Sequence, residues 1–281
     1  MSASGPSVSA EGMSAESEAG AWFAATGPDR DLFEAALRIA ACDHPGRDLA
    51  PYRAHLAELA ADAVAFGGRT AETRAAALAG SLAGKHGYRG DAETYDDLAN
   101  TNLIDVIDRR RGLPVALGIL YIAAARAAGW RMEGLNFPHH FLTRIEAEGQ
   151  RAILDPFAGA LVDTPRLREL LRSLGGAQAE LAPAHTAAAS DRAVLMRLVN
   201  NQRLRLQAAG RTEDALAVVE RMLWLSPADP GLVAEAAEIE VGLGRIGGAI
   251  RRLDALAATT ADAALKRRLA EDAARLRLRL N

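Results

Sequence analysis

The sequence has one cysteine, Cys42, in 281 residues, so neither an intrachain disulfide framework nor a cysteine-rich zinc site is possible. Lysine is nearly missing as well, with only Lys85 and Lys266, and arginine carries the rest of the positive charge. That bias, with the abundance of alanine, reads as genome composition before function. No run of about 18 apolar residues occurs, so no membrane-spanning helix is expected. The first 20 residues have neither a basic start nor an apolar centre. They do not read as a secretory signal, and the expected address is the cytoplasm. The net charge of −3 gives no bulk attraction to nucleic acid or to an acidic membrane.

What is present is globular: 49% apolar and 25% charged residues. Small polar residues dominate 1–27, which is expected to be disordered. Apolar spacing then predicts helices over 31–41, 49–64, 71–82 and 101–110. The most apolar helix is expected over 114–128, opened by Pro114, whose missing N–H costs nothing in a first turn, and ended by Gly129. The pattern then alternates, predicting strands over 132–137, 140–145 and 152–154, with a turn near Gly149. A helix over 165–173 and a linker over 175–190 follow. The reading is an α+β domain with a helical N-terminal cap over 28–176 and an all-helical domain over 191–281.

The helical part carries a repeat. Gly210 and Gly244 are 34 positions apart, as are Ala215 and Ala249. Each glycine separates two amphipathic stretches, and each alanine falls where two helices must approach closely. A helix-turn-helix period of that length is the tetratricopeptide one. Two copies and a closing helix are marginal alone, so the repeats are expected to pack on the first domain.

The candidate chemistry lies between Gly112 and Phe157. Gly112-Leu113-Pro114 opens the buried helix, His140 is placed on one expected strand, and Asp155-Pro156-Phe157 ends another. This order resembles the transglutaminase-like branch of the papain-type fold. More closely, the chain resembles the bacterial SirB-type family, a transglutaminase-like core followed by tetratricopeptide repeats. The stretches that carry the resemblance are Tyr88-Arg89-Gly90, Asn102-Leu103, Arg109 through Pro114, Phe137 through Leu142, and Asp155-Pro156-Phe157. It implies a triad in which a cysteine opens the central helix, where the dipole stabilises its thiolate. A histidine shares the proton and an aspartate orients the imidazole. Carried over, the histidine falls on His140, the aspartate on Asp155 and the cysteine position on Pro114, which has no nucleophile.

The expected function is therefore a non-catalytic module that binds a protein or peptide in a cleft formed by Asn102, Arg111, Gly112, His140, Asp155 and Phe157. The alternatives are a hydrolase or acyl transferase with a relocated nucleophile, Cys42 before Thr101 or Thr143, and a plain helical scaffold. The arginine run 109–111 reads as charge at a helix C-terminus or as an anion-binding rim. Gly80 to Lys85 is too short for a phosphate loop and lacks its Ser/Thr. His44, His55, His86 and His185 show no ligand spacing, so no metal and no cofactor is expected.

Overall fold

The computed structural model describes residues 14–26, 31–176 and 178–280. The helical cap comprises α1 (Ala15–Ala25), α2 (Leu32–Ala41), α3 (Ala50–Phe66) and α4 (Ala71–Ala79), the last running into a wide π-helical turn over Gly80–Lys85. β1 (Arg89–Gly90) and β2 (Arg111–Gly112) form a short parallel pair around α5 (Leu103–Arg109). Next comes α6 (Pro114–Ala127), in which every side chain from Pro114 to Ala125 is buried. Its apolar residues surround the whole helix, and such a helix is stable only at the centre of a fold.

A five-stranded antiparallel sheet lies against α6. Its members are β3 (Arg131–Leu135), β4 (Thr143–Ala147), β5 (Gln150–Asp155), β6 (Ala160–Val162) and β7 (Ala188–Ala189). They are ordered β6-β5-β4-β3-β7, with α7 (Thr164–Gly175) between β6 and β7. Glu148 and Gly149 join β4 to β5, both at positive φ (51° and 75°), the backbone that a tight two-residue hairpin with right-twisted strands requires. Register is set by Thr143 opposite Leu154 and Ile145 opposite Ala152.

The remaining chain is α8 (Asp191–Ala208), α9 (Thr212–Leu225), α10 (Pro230–Gly242), α11 (Ile246–Thr259) and α12 (Ala263–Leu278), each packed on the next. The core does not break where the two expected domains meet. Val194, Leu195, Leu198 and Val199 of α8 belong to the cluster that holds α6 and the sheet. A second cluster links α10, α11 and α12.

Three local expectations change. Disorder over 1–27 does not extend to 14–26: Ser14 caps α1 by accepting from the Ser17 N–H, and Phe23 and Ala19 are buried. The remainder of that stretch lies outside the described residues. The linker 175–190 contributes β7, whose Ala188 and Ala189 pair with Leu135 and Gly134. His140 is not on a strand. β4 begins at Thr143, and 136–142 is a loop in which His139 takes a left-handed φ of 58°. His139 and His140 therefore do not sit on opposite faces of a sheet.

Candidate functional site

The end of β5 and the loop before β4 meet at His140. Its Nε2 lies 2.9 Å from Asp155 Oδ2, and both side chains are largely shielded, 15% and 10% exposed. The other carboxylate oxygen of Asp155 accepts the backbone N–H of Phe157 at 2.8 Å and that of Ala158 at 3.3 Å. One carboxylate thus ends a strand, shapes the following turn and orients an imidazole. The Phe157 ring stands edge-on to His140 with centroids 6.4 Å apart, and to Tyr95 at 6.1 Å. Gly90 N–H donates to the Phe157 carbonyl at 2.9 Å. A Cβ on Gly90 would fall 2.4 Å from the ring, so β1 reaches this corner only as glycine.

The central helix supplies two further features. Tyr121, one of the largest fully buried side chains, has a hydroxyl with no hydrogen-bond partner among the described residues. Burial, and then the Asp155 carboxylate, hold its proton on well above the usual phenol range. Pro114 occupies the first turn, buried, with no side-chain cap at Leu113. No thiol or hydroxyl stands at the position that the resemblance assigns to the nucleophile.

Sequence reasoning missed Arg197 of α8. Its guanidinium donates to the carbonyls of His140 (2.6 Å) and Phe137 (3.2 Å) and lies 5.5 Å over the Phe141 ring. The loop carrying His140 is therefore clamped from the helical bundle. Arg205, two turns on, donates to the Tyr95 carbonyl at 3.1 Å. Nothing local marks either arginine; only the placement of α8 does.

The expected cleft is brought together in part. His140, Asp155 and Phe157 share one corner. Gly112 sits on β2, where its carbonyl accepts the Asp91 N–H at 3.3 Å, and Arg111 precedes it, half-buried. Asn102 is not part of that corner. It caps α5, accepting from the N–H groups of Ile104 (2.9 Å) and Asp105 (3.4 Å) and donating to Ala40 O and Asp43 Oδ2. Its surroundings are a different cavity of about 530 Å³ between α2, α5, α8 and α9, shared with Cys42, Glu16 and Arg221.

Cys42 ends α2, and its thiol donates to the Arg38 carbonyl at 3.4 Å. Burial pushes that thiol up to about 12, the Arg221 guanidinium only partly opposing it. Thr101 donates to Leu98 O, and Thr143, wholly buried, to Leu154 O at 3.2 Å. The arginine run divides. Arg109 pairs with Asp91 and Asp97, Arg110 takes a left-handed φ of 60° and stacks on Tyr88, and Arg111 joins β2. Two histidines without ligand spacing along the chain, His55 and His86, come together with Glu58.

This combination — a buried helix, an antiparallel sheet packed on it, and a His–Asp pair where strand meets loop — defines a transglutaminase-like domain. The family model of the transglutaminase-like superfamily matches residues 50–200, more than half of the chain, and the chain belongs to that superfamily. Its bacterial relatives are UPF0162 proteins. One, from Xylella fastidiosa, is 33% identical over 177 residues, covering 60% of this chain and 62% of that protein. Another, from Pseudomonas aeruginosa, is 34% identical over 201 residues, covering 70% and 72%. The match thus spans less than two thirds of the Xylella protein's length. A shorter likeness reaches F-box only protein 21 of Mus musculus, 34% identical over 76 residues, 27% of this chain and 12% of that protein. No solved structure matches the chain.

Proposed function

We propose that the chain is a non-catalytic transglutaminase-like protein of the SirB type that binds a protein or peptide partner in the cytoplasm. The observation that carries the reading is Pro114 at the start of α6. Acyl transfer through a covalent intermediate needs a nucleophile within reach of the imidazole. Where the family pattern wants a thiolate at a helix N-terminus, this chain has a buried pyrrolidine ring. Cys42 does not replace it: its partner is a backbone carbonyl, and the buried thiol stays protonated at neutral pH.

The binding half of the proposal rests on α8–α12, which we read as tetratricopeptide-type. Helices α9 and α11 start 34 residues apart, at Thr212 and Ile246. Gly210 and Gly244 both take left-handed φ, 67° and 75°, before them. Ala215 and Ala249 are buried at equivalent positions. Such stacks present elongated concave surfaces suited to helices and peptides.

The test is turnover by the purified full chain on a panel of glutaminyl peptides with amine acceptors, amides and esters. The expected result is no product above the buffer blank. Turnover that disappears in His140→Ala, a variant whose folding is checked by circular dichroism, would overturn the non-catalytic reading.

A further inference from the structure

In the cap, α3 places His55, Glu58 and Asp62 at positions i, i+3 and i+7, so that all lie on one side of the helix. His86 reaches the same spot from the end of the π-helical turn. Its backbone is held by the bond from its N–H to the Ser81 carbonyl at 3.0 Å. One ligand atom each from His55, Glu58 and His86 lie within 4.8 Å of one another. His55 Nδ1 is 2.9 Å from Glu58 Oε2, and His86 Nε2 is 2.7 Å from Asp62 Oδ2. The imidazoles are 12% and 10% exposed, whereas Glu58 is 57% exposed, so the cluster is walled on the protein side and open on one side to solvent.

We propose that His55, Glu58 and His86, with Asp62 beside them, bind one divalent transition-metal ion of the zinc, cobalt and nickel class. Two neutral imidazoles with one or two carboxylates form the mixed nitrogen and oxygen donor set that these ions favour. Ligand atoms around an ion bonded at about 2.0–2.1 Å stand roughly 3.4 Å apart, so binding draws the three atoms in from their present spread within 4.8 Å. His55 also has the support that metal-binding histidines usually have. With Nδ1 turned to the site, its Nε2 lies 3.0 Å from the Tyr88 hydroxyl, which fixes the ring. Two positive groups oppose the ion. Arg110 stacks 4.8 Å over Tyr88 and aims an N–H at His55 Nε2, which carries the ring proton once Nδ1 holds the ion, so binding requires that N–H to turn to Tyr88 alone; Lys85 donates to Asp62 at 2.6 Å. The Glu58 and Asp62 carboxylates offset them. The site is remote in sequence from Pro114, His140 and Asp155 and does not depend on the reading of their chemistry.

The experiment is titration of the chelator-stripped full chain with Co(II), read by visible d–d absorption, and with Zn(II), read by calorimetry. The expected result is one equivalent bound with micromolar or tighter affinity and a Tm that rises with the metal. Affinity is expected to fall at least tenfold in His86→Gln and in Glu58→Gln and to be unchanged in His139→Gln. Glu58 is solvent-facing, so its variant tests the site even if His86→Gln folds poorly. Absence of stoichiometric uptake by the unaltered chain overturns the proposal, as does affinity kept within tenfold in Glu58→Gln. The two His–carboxylate contacts would then be ordinary hydrogen bonds of the cap.

Discussion

Gly118 sits in the middle of α6, where alanine would ordinarily favour the helix by about 1 kcal/mol. Here the sign reverses. A Cβ on Gly118 would stand 2.2 Å from Phe141 Cε1 and 2.5 Å from Cδ1. Carbon atoms rest at about 3.5–4.0 Å, so the ring would have to retreat by more than an ångström. It has nowhere to go. Phe141 is 1% exposed, and the Cβ position of Gly134 on β3 is already 2.7 Å from its Cζ. Overpacking of this kind costs about 1–3 kcal/mol, and a walled ring belongs at the upper end. Setting about 3 kcal/mol against the helix gain of about 1 leaves Gly118→Ala less stable by about 2 kcal/mol. For a chain of this size that is a fall in Tm of roughly 4–8 °C, read by calorimetry and checked by urea midpoint. The double variant with Phe141→Leu should recover part of the loss, because the two positions share one contact. An unchanged or raised Tm for Gly118→Ala would refute the argument.

Two other perturbations test Asp91 and Cys42. The backbone N–H of Thr94, then its hydroxyl, hold the Asp91 carboxyl down to about 2, with the Asn100 amide and Arg111 adding to them. A depressed carboxyl contributes stability that is full above its ordinary value of 3.8 and is lost as pH falls through about 2. The urea midpoint of Asp91→Asn should therefore lie below that of the parent at neutral pH and decline less between pH 4 and 2; parallel curves would sink the assignment. Cys42, raised from 9.0 to about 12 by burial, should react with iodoacetamide about 10³-fold more slowly in the native chain than in urea. Native labelling as fast as that of the unfolded chain would restore Cys42 as a nucleophile candidate.

The elements that were legible are those whose signals are local. Pro114 and Gly129 bracket α6, alternation marks β3 through β5, and equal spacing of Gly210 and Gly244 marks the helical hairpins. The misreadings are tertiary. α1 has the composition of a disordered tail, and it folds because Phe23 stacks on Trp224 at 5.5 Å and Glu16 reaches Arg221 at 2.6 Å, 205 residues away. β7 is two alanines whose only strand signal is the vacant edge of β3. The 136–142 stretch has strand-like residues, but a left-handed His139 turns it into a loop. Asn102 reads as a cleft residue because its neighbours carry the family pattern; two of its four side-chain bonds cap α5 and the other two reach Ala40 and Asp43 at the end of α2.

That last point bears on the His140–Asp155 pair. A histidine and an aspartate 2.9 Å apart, with a proline at the start of α6, invite the view that the pair is a vestige. The bonds around it argue for present use. Asp155 ends β5, and its Oδ1 collects the N–H groups of Phe157 and Ala158 while Oδ2 takes His140. Arg197 holds the His140 carbonyl from the other side, so the pair joins the sheet, the Phe137–Leu142 loop and α8 at one point. Losing either side chain would unmoor a loop whose Phe141 fills the space between α6 and β3. The constellation therefore has a structural reason to persist in this chain whether or not an acyl group is ever transferred. His140 and Asp155 alone are weak grounds for an enzyme, and the proposed non-catalytic reading stands or falls on turnover by the full chain.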